Sequence, residues 1–243
     1  MSALCGIGLA QDAKDARRSG FADMSAAIQA MQRDDAVNPA WLWVEDGRQR
    51  FDARCARCHT VASMAGVAAR YPAWDEARRR PLTLGQRIAA CYAKGPSDGA
   101  TPAPPLAPES DARLALETFV AQQSRGHAIA PPVDARLAPW REQGRALFEQ
   151  RQGQLDLACK HCHEQAAGRR LAGSVIPQGH PTGYPIYRLE WQAVGSLQRR
   201  LRACMSGVRS EPYDYGAAEL VNLELFLMWR ARGMALEAPG VRP

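Results

Sequence analysis

Two copies of one short motif constrain this chain more than any other feature. Residues 55–59 read C-A-R-C-H and residues 159–163 read C-K-H-C-H. C-x-x-C-H is the attachment signature of c-type haem, in which two thiols bond to the porphyrin and the histidine ligates the iron. A zinc site would pair its cysteines about 15–20 residues apart, whereas these motifs lie in different halves of the chain. We therefore predict two covalently bound c-type haems. The attaching residues are Cys55, Cys58, Cys159 and Cys162, and the proximal iron ligands are His59 and His163.

The sequence around the two motifs is also repeated. Residues 43–51 and 140–148 share Trp, Glu, Gly, Arg and Phe at identical spacing, and a Tyr-Pro pair follows each motif. The same order of matching blocks in both halves indicates an internal duplication. The remaining matches are residues 84–91 with 197–204 and residues 116–126 with 223–233.

Helical spacing before and after each motif, with little strand alternation, predicts the fold class. We expect a mostly α protein made of two tandem cytochrome c-like domains, related by internal duplication and preceded by an N-terminal extension. The repeated halves, roughly residues 43–127 and 140–235, each have under 100 residues, so a haem would supply apolar surface that so short a segment lacks. The expected boundaries are 1–10 for the remnant of a signal segment, 11–42 for the extension, 43–127 for the first domain, 128–139 for a Pro-rich linker and 140–243 for the second domain.

Composition and targeting signals limit the cellular setting. No apolar run reaches the roughly 18–20 residues of a membrane span. Residues 1–10 are apolar and end in small residues, although the positive start of a signal peptide is missing. Because bacteria attach covalent haem outside the cytoplasm, we expect a periplasmic protein. The net charge of +6 is too small to indicate nucleic-acid binding and is compatible with an anionic substrate or an acidic partner.

The sixth ligand of each iron is less obvious, because most small c-type cytochromes use a methionine. Met64 follows its haem motif too closely to reach the opposite face of the ring. Only Cys91 and Cys204 occupy matching places in the repeat, so we predict His/Cys ligation at both irons. A buried inert thiol or a disulfide between these two cysteines is the alternative. Other candidate ligands are His127, His180, Met205 and Met228.

An arginine stands one helical turn before each of these cysteines. Arg87 and Cys91, like Arg200 and Cys204, are four residues apart and share a helix face. A guanidinium there would favour the thiolate and could bind an oxyanion beside the sulfur. A haem propionate is the alternative partner. An anion site is favoured at Arg200, where the sequence is denser in cations. The neighbouring arginines are Arg199 and Arg202.

These residues together resemble SoxA, the dihaem cytochrome c subunit of the SoxAX complex of bacterial sulfur oxidation. The block C-M-S-G-V-R-S-E-P-Y at 204–213 is the most specific match, because other dihaem cytochromes share only the haem motifs. With both motifs, the matching stretches extend over nearly the whole chain. The other stretches are 18–24, 38–47 and 178–192.

The resemblance implies an L-cysteine S-thiosulfotransferase, which oxidatively joins thiosulfate to a cysteine of the carrier protein SoxYZ. It implies that the second haem is the active one, with Cys204 as a catalytic cysteine that can carry a persulfide and Arg200 as the active-site arginine. The first haem is then structural or an electron relay. The implied partner is SoxX, a small monohaem cytochrome that forms a heterodimer with the chain and takes the electrons. A tetrathionate-forming thiosulfate dehydrogenase and a non-catalytic dihaem electron-transfer cytochrome are the alternatives.

Overall fold

The computed structural model describes residues 16–95 and 103–243. The predicted signal remnant at 1–10, with Cys5, lies outside the described residues. In the described ranges, the helices are α1 (Ala26–Arg33), α2 (Trp41–Arg50), α3 (Leu84–Lys94), α4 (Asp111–Gln122), α5 (Ala138–Glu149), α6 (Leu197–Gly207) and α7 (Ala218–Arg230). The strands are β1 (Ala73–Asp75), β2 (Arg80–Leu82), β3 (Arg170–Leu171), β4 (Ser174–Val175), β5 (Ile186–Arg188), β6 (Ala193–Gly195) and β7 (Gly240–Arg242). None of these helices is long and apolar enough to cross a membrane.

Each half of the chain follows the same order of elements, which confirms the predicted mostly α class with an internal duplication. A helix (α2 or α5) leads towards the haem motif, where the chain forms a π-helical turn at Phe51–Cys55 and at His161–Gln165. An antiparallel hairpin then precedes a helix that carries the matching cysteine, α3 or α6. A last helix, α4 or α7, packs back on the first.

A glycine permits this close packing of helices in each half. A Cβ atom added at Gly47 of α2 would lie 2.0 Å from the carbonyl oxygen of Ala115 in α4. A Cβ atom added at Gly144 of α5 would lie 2.0 Å from the carbonyl oxygen of Asn222 in α7. No side chain fits at such a distance, so the two glycines of the repeated W-x-E-x-G-R block set how closely the helix pairs approach.

Aromatic pairs fill the space beside each glycine contact. The rings of Phe51 and Phe119 have centroids 5.2 Å apart, and those of Phe148 and Phe226 are 5.4 Å apart. Tilted pairs at this distance are a favoured aromatic geometry. The core around Phe148 consists of second-half residues, whereas the core around Phe51 and Phe119 is shared between the halves. The second half contributes Met228, Ala231, Leu236 and Ala238 to it.

The helices that carry the matching cysteines begin in the same way. Thr83 caps α3 by accepting a hydrogen bond from the Gln86 amide, and the Gln86 side chain bonds back to the Thr83 amide. Ser196 caps α6 by accepting from the Arg199 amide. Such caps satisfy amides that lack a partner in the first helical turn, so each helix starts directly after its hairpin.

The N-terminal extension packs on the second half. Helix α1 contacts β7, and Ile28 and Met31 join a core that includes Tyr187, Val194 and Val241 of the second-half sheet. That sheet has the order β6-β5-β7, with β5 parallel to β7. The C-terminal tail therefore supplies a strand that the first half does not contain.

The same tail also joins the two halves. The Gly126 amide donates to the Leu236 carbonyl at 2.8 Å, and the Leu236 amide donates to the His127 carbonyl at 2.9 Å. The Ile129 amide donates to the Met234 carbonyl at 2.8 Å. These main-chain bonds hold the segment after α7 against the end of the first half, so the two halves form one packed unit.

Candidate active site

The main chain holds the histidine of the second haem motif in one orientation. His163 lies in the π-helical turn, and its Nδ1 is 2.8 Å from the carbonyl oxygen of Pro177. A carbonyl can only accept, so Nδ1 carries a proton, and Nε2 is the ring nitrogen left for other contacts. Metal-ligating histidines commonly use the other ring nitrogen in this way, which fixes the ring and its tautomer.

Cys204 lies within hydrogen-bond distance of this histidine. It projects from α6 and hydrogen-bonds through its thiol to His163, although the two residues come from different elements. The structure therefore brings together the two predicted axial ligands of the second iron, one nitrogen and one sulfur.

Charges around Cys204 favour its thiolate. Burial raises the pKa of the thiol, but the hydrogen bond with His163 acts in the opposite direction. The positive charges of Arg200 and Arg188 add to that effect, and the pKa of Cys204 lies below its usual value as a result. Arg200 thus stands close enough to influence the sulfur, as the spacing of one helical turn predicts.

The attaching cysteines of the second motif belong to the same cluster. Burial, together with the negative charges of Cys204 and Cys162, raises the pKa of Cys159 to about 11. All four sulfur and nitrogen donors predicted for the second haem therefore converge at one place. Two thiols, an oriented imidazole and a further thiol are the donors that would attach a haem and ligate its iron.

The corresponding place in the first half is more open. Cys58, His59 and Cys91 are exposed, whereas Cys162, His163 and Cys204 are each partly buried. The structure does bring Cys91 to the haem motif, since burial raises the pKa of Cys55 and the charge of Cys91 raises it further. All described cysteines are free, including Cys91 and Cys204, so the alternative of a disulfide between those two is not found.

The two equivalent arginines have different neighbours. Arg87 donates to the Asp75 carboxylate at 2.7 Å and also hydrogen-bonds Tyr71. Arg200 lies near Tyr184, the repeat equivalent of Tyr71. Burial raises the pKa of Tyr184 to about 12, so its hydroxyl stays protonated beside the cysteine site.

The two arginines beside Arg200 in the sequence have contacts of their own. Arg199 stacks on Trp191 with its guanidinium 4.2 Å from the ring centroid, and Arg202 stacks on Tyr215 at 4.6 Å while it donates to the Tyr213 carbonyl. Successive helix positions point in different directions, so these two side chains have other partners than Arg200. The second arginine whose charge reaches Cys204 is Arg188 of β5, and no sequence prediction included this residue.

The other candidate ligands lie elsewhere in the described chain. Met205 and Met228 are buried in the hydrophobic cores, and Met64 packs against the core of the first half. His180 bonds through Nδ1 to the Arg18 carbonyl at 2.9 Å, and His127 is exposed beside Gly66.

Comparison with known proteins agrees with the duplicated architecture. The family model described as SoxA/TsdA, cytochrome c domain, matches the chain twice, over residues 41–129 and 143–236. The L-cysteine S-thiosulfotransferase subunit SoxA of Pseudaminobacter salicylatoxidans is 32% identical, over 92% of this chain and 80% of that protein. The chain belongs to the SoxA family. As a cytochrome c of this family, it carries covalently bound haem.

Further relatives extend the likeness to the full fold. The SoxA subunit of Rhodovulum sulfidophilum is 32% identical, over 95% of this chain and 82% of that protein. A chain in the crystal structure of SoxXA from P. pantotrophus superposes with a TM-score of 0.87 at 29% identity, covering 93% of this chain and 87% of that one. The resemblance stated from the sequence is thereby confirmed at the level of the family and the fold.

Proposed function

We propose that the chain is the cytochrome subunit of an L-cysteine S-thiosulfotransferase and joins thiosulfate oxidatively to a cysteine of the carrier protein SoxYZ. The relatives named above carry this activity in their names. The observation that carries the proposal is the thiol of Cys204, hydrogen-bonded to the oriented His163 and influenced by Arg200. A sulfur atom beside a guanidinium is suited to a sulfur-containing dianion.

The proposed reaction forms one sulfur–sulfur bond. The carrier thiol and the thiosulfate dianion combine into a protein-bound thiosulfonate, releasing one proton and two electrons. The new group carries one negative charge, so atoms and charge balance. Haem supplies the electron acceptor when it is bound, and SoxX is the partner that receives the electrons next.

The residues of the chain bind and orient the substrate. Arg200 holds the dianion through charge-assisted hydrogen bonds, which are short and about twice as strong as neutral ones. Cys204 presents its sulfur beside that anion and can carry an additional sulfur atom as a persulfide. The protonated hydroxyl of Tyr184 is a hydrogen-bond donor in the same place.

The proposed chain is periplasmic and holds two haems. The first haem is attached to Cys55 and Cys58 and ligated by His59 and Cys91, and it is structural or relays electrons. The second is attached to Cys159 and Cys162 and ligated by His163 and Cys204. The resemblance to the chain from a SoxXA crystal structure supports a heterodimer with SoxX.

One assay separates this function from its rivals. The purified haem-loaded complex with SoxX is given thiosulfate alone, or thiosulfate with SoxYZ, and a cytochrome acceptor. The proposal expects acceptor reduction only with SoxYZ, together with a thiosulfonate adduct on the carrier cysteine by mass spectrometry. Tetrathionate formed from thiosulfate alone would establish a thiosulfate dehydrogenase instead. If thiosulfate does not reduce the acceptor under either condition, the chain is a non-catalytic electron-transfer cytochrome.

A second measurement examines Cys204 itself. Mass spectrometry of the peptide that contains Cys204 should show a fraction heavier by one sulfur atom, and a reductant should remove that fraction. The peptide that contains Cys91 is the matched control and should show no such fraction. A persulfide on both cysteines, or on neither, would contradict a catalytic role specific to Cys204.

A further inference from the structure

The two halves align without insertion or deletion over residues 71–95 and 184–208. Both segments begin with a cis Tyr-Pro bond, continue into the hairpin β1–β2 or β5–β6, and end in the helix that carries the matching cysteine. The hairpin registers agree: Asp75 pairs with Arg80 in the first half, and Arg188 pairs with Ala193 in the second. Asp75 and Arg188 are therefore equivalent positions with opposite charges.

In the first half, the carboxylate neutralises the arginine of the cysteine helix. Asp75 is 3% exposed, and its Oδ2 accepts from Nη2 of Arg87 at 2.7 Å. Its other oxygen accepts from the Arg78 amide at 2.7 Å. The carboxylate offsets the charge of Arg87 and occupies one of its donors, so the ion pair disfavours anion binding in the first half.

In the second half, the same position adds a cation. The side chain of Arg188 is 15% exposed and stands at the position where Asp75, in the first half, meets the arginine of the cysteine helix. The equivalent arginine in the second half is Arg200. Its Nη2 donates to Glu190, a carboxylate 65% exposed to solvent. In the described part of the chain, nothing accepts a hydrogen bond from its buried Nε.

We propose that Arg188 and Arg200 together form the binding site for a divalent oxyanion beside Cys204, and that the replacement of Asp75 by Arg188 at the equivalent position confines this binding to the second half. The inference rests on the proposed function, in which that anion is thiosulfate. Arg188 is then the residue that makes one of two otherwise similar cysteine sites specific for substrate.

Electrostatics explains why the pair selects a dianion. Two guanidinium groups near one sulfur repel each other, and a bound dianion offsets both charges at once. Guanidinium is weakly hydrated and offers several donors in a fixed plane, so it binds oxyanions with more than one hydrogen bond. The free Nε of Arg188 is such a donor.

The test replaces Arg188 in the haem-loaded complex with SoxX. Thiosulfate binding is measured by isothermal titration calorimetry without SoxYZ, and KM and kcat are measured with SoxYZ. Loss of a charged hydrogen bond should weaken binding roughly 10-fold to 100-fold in Arg188→Gln. KM should rise in parallel while kcat changes less, and Arg188→Lys should restore part of the affinity.

A matched control removes a positive charge elsewhere. Arg170 of β3 is exposed, so Arg170→Gln lowers the net charge equally and should leave thiosulfate affinity and KM unchanged. The haem content and the reduction potential are recorded for every variant. Wild-type affinity in Arg188→Gln would overturn the inference, and so would failure of both Arg188 variants to take up haem, because the residue would then serve the haem and not the anion.

The outcome distinguishes this inference from the proposed function. If wild-type protein binds thiosulfate and Arg188→Gln does not, the anion site stands even if no transfer to SoxYZ occurs. If transfer occurs at the wild-type KM in Arg188→Gln, the proposed function stands and the role of Arg188 is refuted.

Discussion

Arg87 donates a 2.7 Å hydrogen bond to Asp75, and this ion pair connects the helix of Cys91 to the hairpin in front of it. A backbone hydrogen bond from Arg78, with the charges of Arg87 and Arg78, holds the pKa of Asp75 below its usual value against the effect of burial. The carboxylate therefore contributes stability above the pKa it has in the unfolded chain, and that contribution is lost as the pH falls through its lower folded pKa.

Asp75→Asn should lower the thermal midpoint at pH 7 by roughly 3–6 °C, because it leaves Arg87 without its carboxylate. The loss should shrink as the pH falls from the unfolded pKa of about 3.9 through the lower folded pKa, where the wild-type carboxyl becomes protonated as well. Thermal unfolding of haem-loaded protein followed by circular dichroism measures both. Exposed Asp111→Asn is the control, and an equal effect at pH 3 and pH 7 would contradict the ion-pair explanation.

Two equivalent glutamates line a cavity between the halves. Glu117 of α4 and Glu224 of α7 occupy the same place in the repeated L-E-x-F block, and the cavity beside them has a volume of about 50 Å³. Burial raises the pKa of Glu117 to about 7 and that of Glu224 to about 8, and the charge of Glu117 adds to the effect on Glu224. Both carboxyls are therefore protonated in the folded protein at mildly acidic pH.

A raised folded pKa makes the wild type less stable as the pH increases. The stabilising effect of the protonated form is complete below the unfolded pKa of about 4.3 and is lost as the pH rises to the folded value of about 8. Glu224→Gln removes this dependence, so it should be more stable than wild type at pH 8.5 by roughly 1–3 kcal/mol and nearly equal at pH 4.

Urea unfolding of the haem-loaded chain at several pH values measures that difference. Glu219→Gln, at an exposed position of the same helix, is the control and should follow the wild-type curve. A Glu224→Gln protein that is less stable than wild type at pH 8.5 would show that the carboxylate is ionised and needed there.

Local sequence was sufficient to predict the repeated parts of the fold. The haem motifs, the glycine-containing helices and the last helix each depend on residues close together in the chain, and the structure has them in both halves. The spacing of Arg200 and Cys204 was equally informative, because residues four apart on one helix face are neighbours. The ligand roles of His59, Cys91, His163 and Cys204 stay predictions.

Contacts between distant segments could not be predicted in the same way. Strands β5 and β7 pair although most of the second half lies between them in the sequence. Each has only three residues, which is too short to show an alternation of apolar and polar residues. Arg188 was missed for a similar reason, since it lies on another element from Cys204. One signal was available: the ungapped repeat aligns it with Asp75, and a charge reversal between duplicated sites is visible in the sequence alone.

Gly144→Ala should disrupt the contact between α5 and α7. The added methyl group would lie 2.0 Å from a main-chain carbonyl oxygen, which cannot rotate away, so the helices must separate. Overpacking in a closed core costs roughly 1–3 kcal/mol or more. We expect a lower urea midpoint for Gly144→Ala. The control is Gly207→Ala, where an added Cβ atom meets nothing within 4 Å and should cause no steric clash. Equal stability of both variants would show that the helix contact adapts.

Arg200→Ala should lose thiosulfate turnover with SoxYZ while it keeps normal haem loading. Arg200 lies one turn before Cys204, and its charge lowers the pKa of that thiol. Removal of a donor that stabilises charge in the transition state typically costs about 100-fold to 1,000-fold in kcat. Steady-state reduction of the cytochrome acceptor measures the loss, and the Soret absorbance per chain measures haem loading.

The matched control for this variant is Arg170→Ala. Arg170 of β3 is exposed, and its substitution should leave turnover within about twofold of wild type, since surface substitutions have small effects. Arg200→Lys distinguishes charge from geometry: it keeps the positive charge but not the planar donors, so an intermediate rate is expected. Full activity in Arg200→Ala with normal haem content would exclude Arg200 from the reaction and leave Arg188 as the cation that binds thiosulfate.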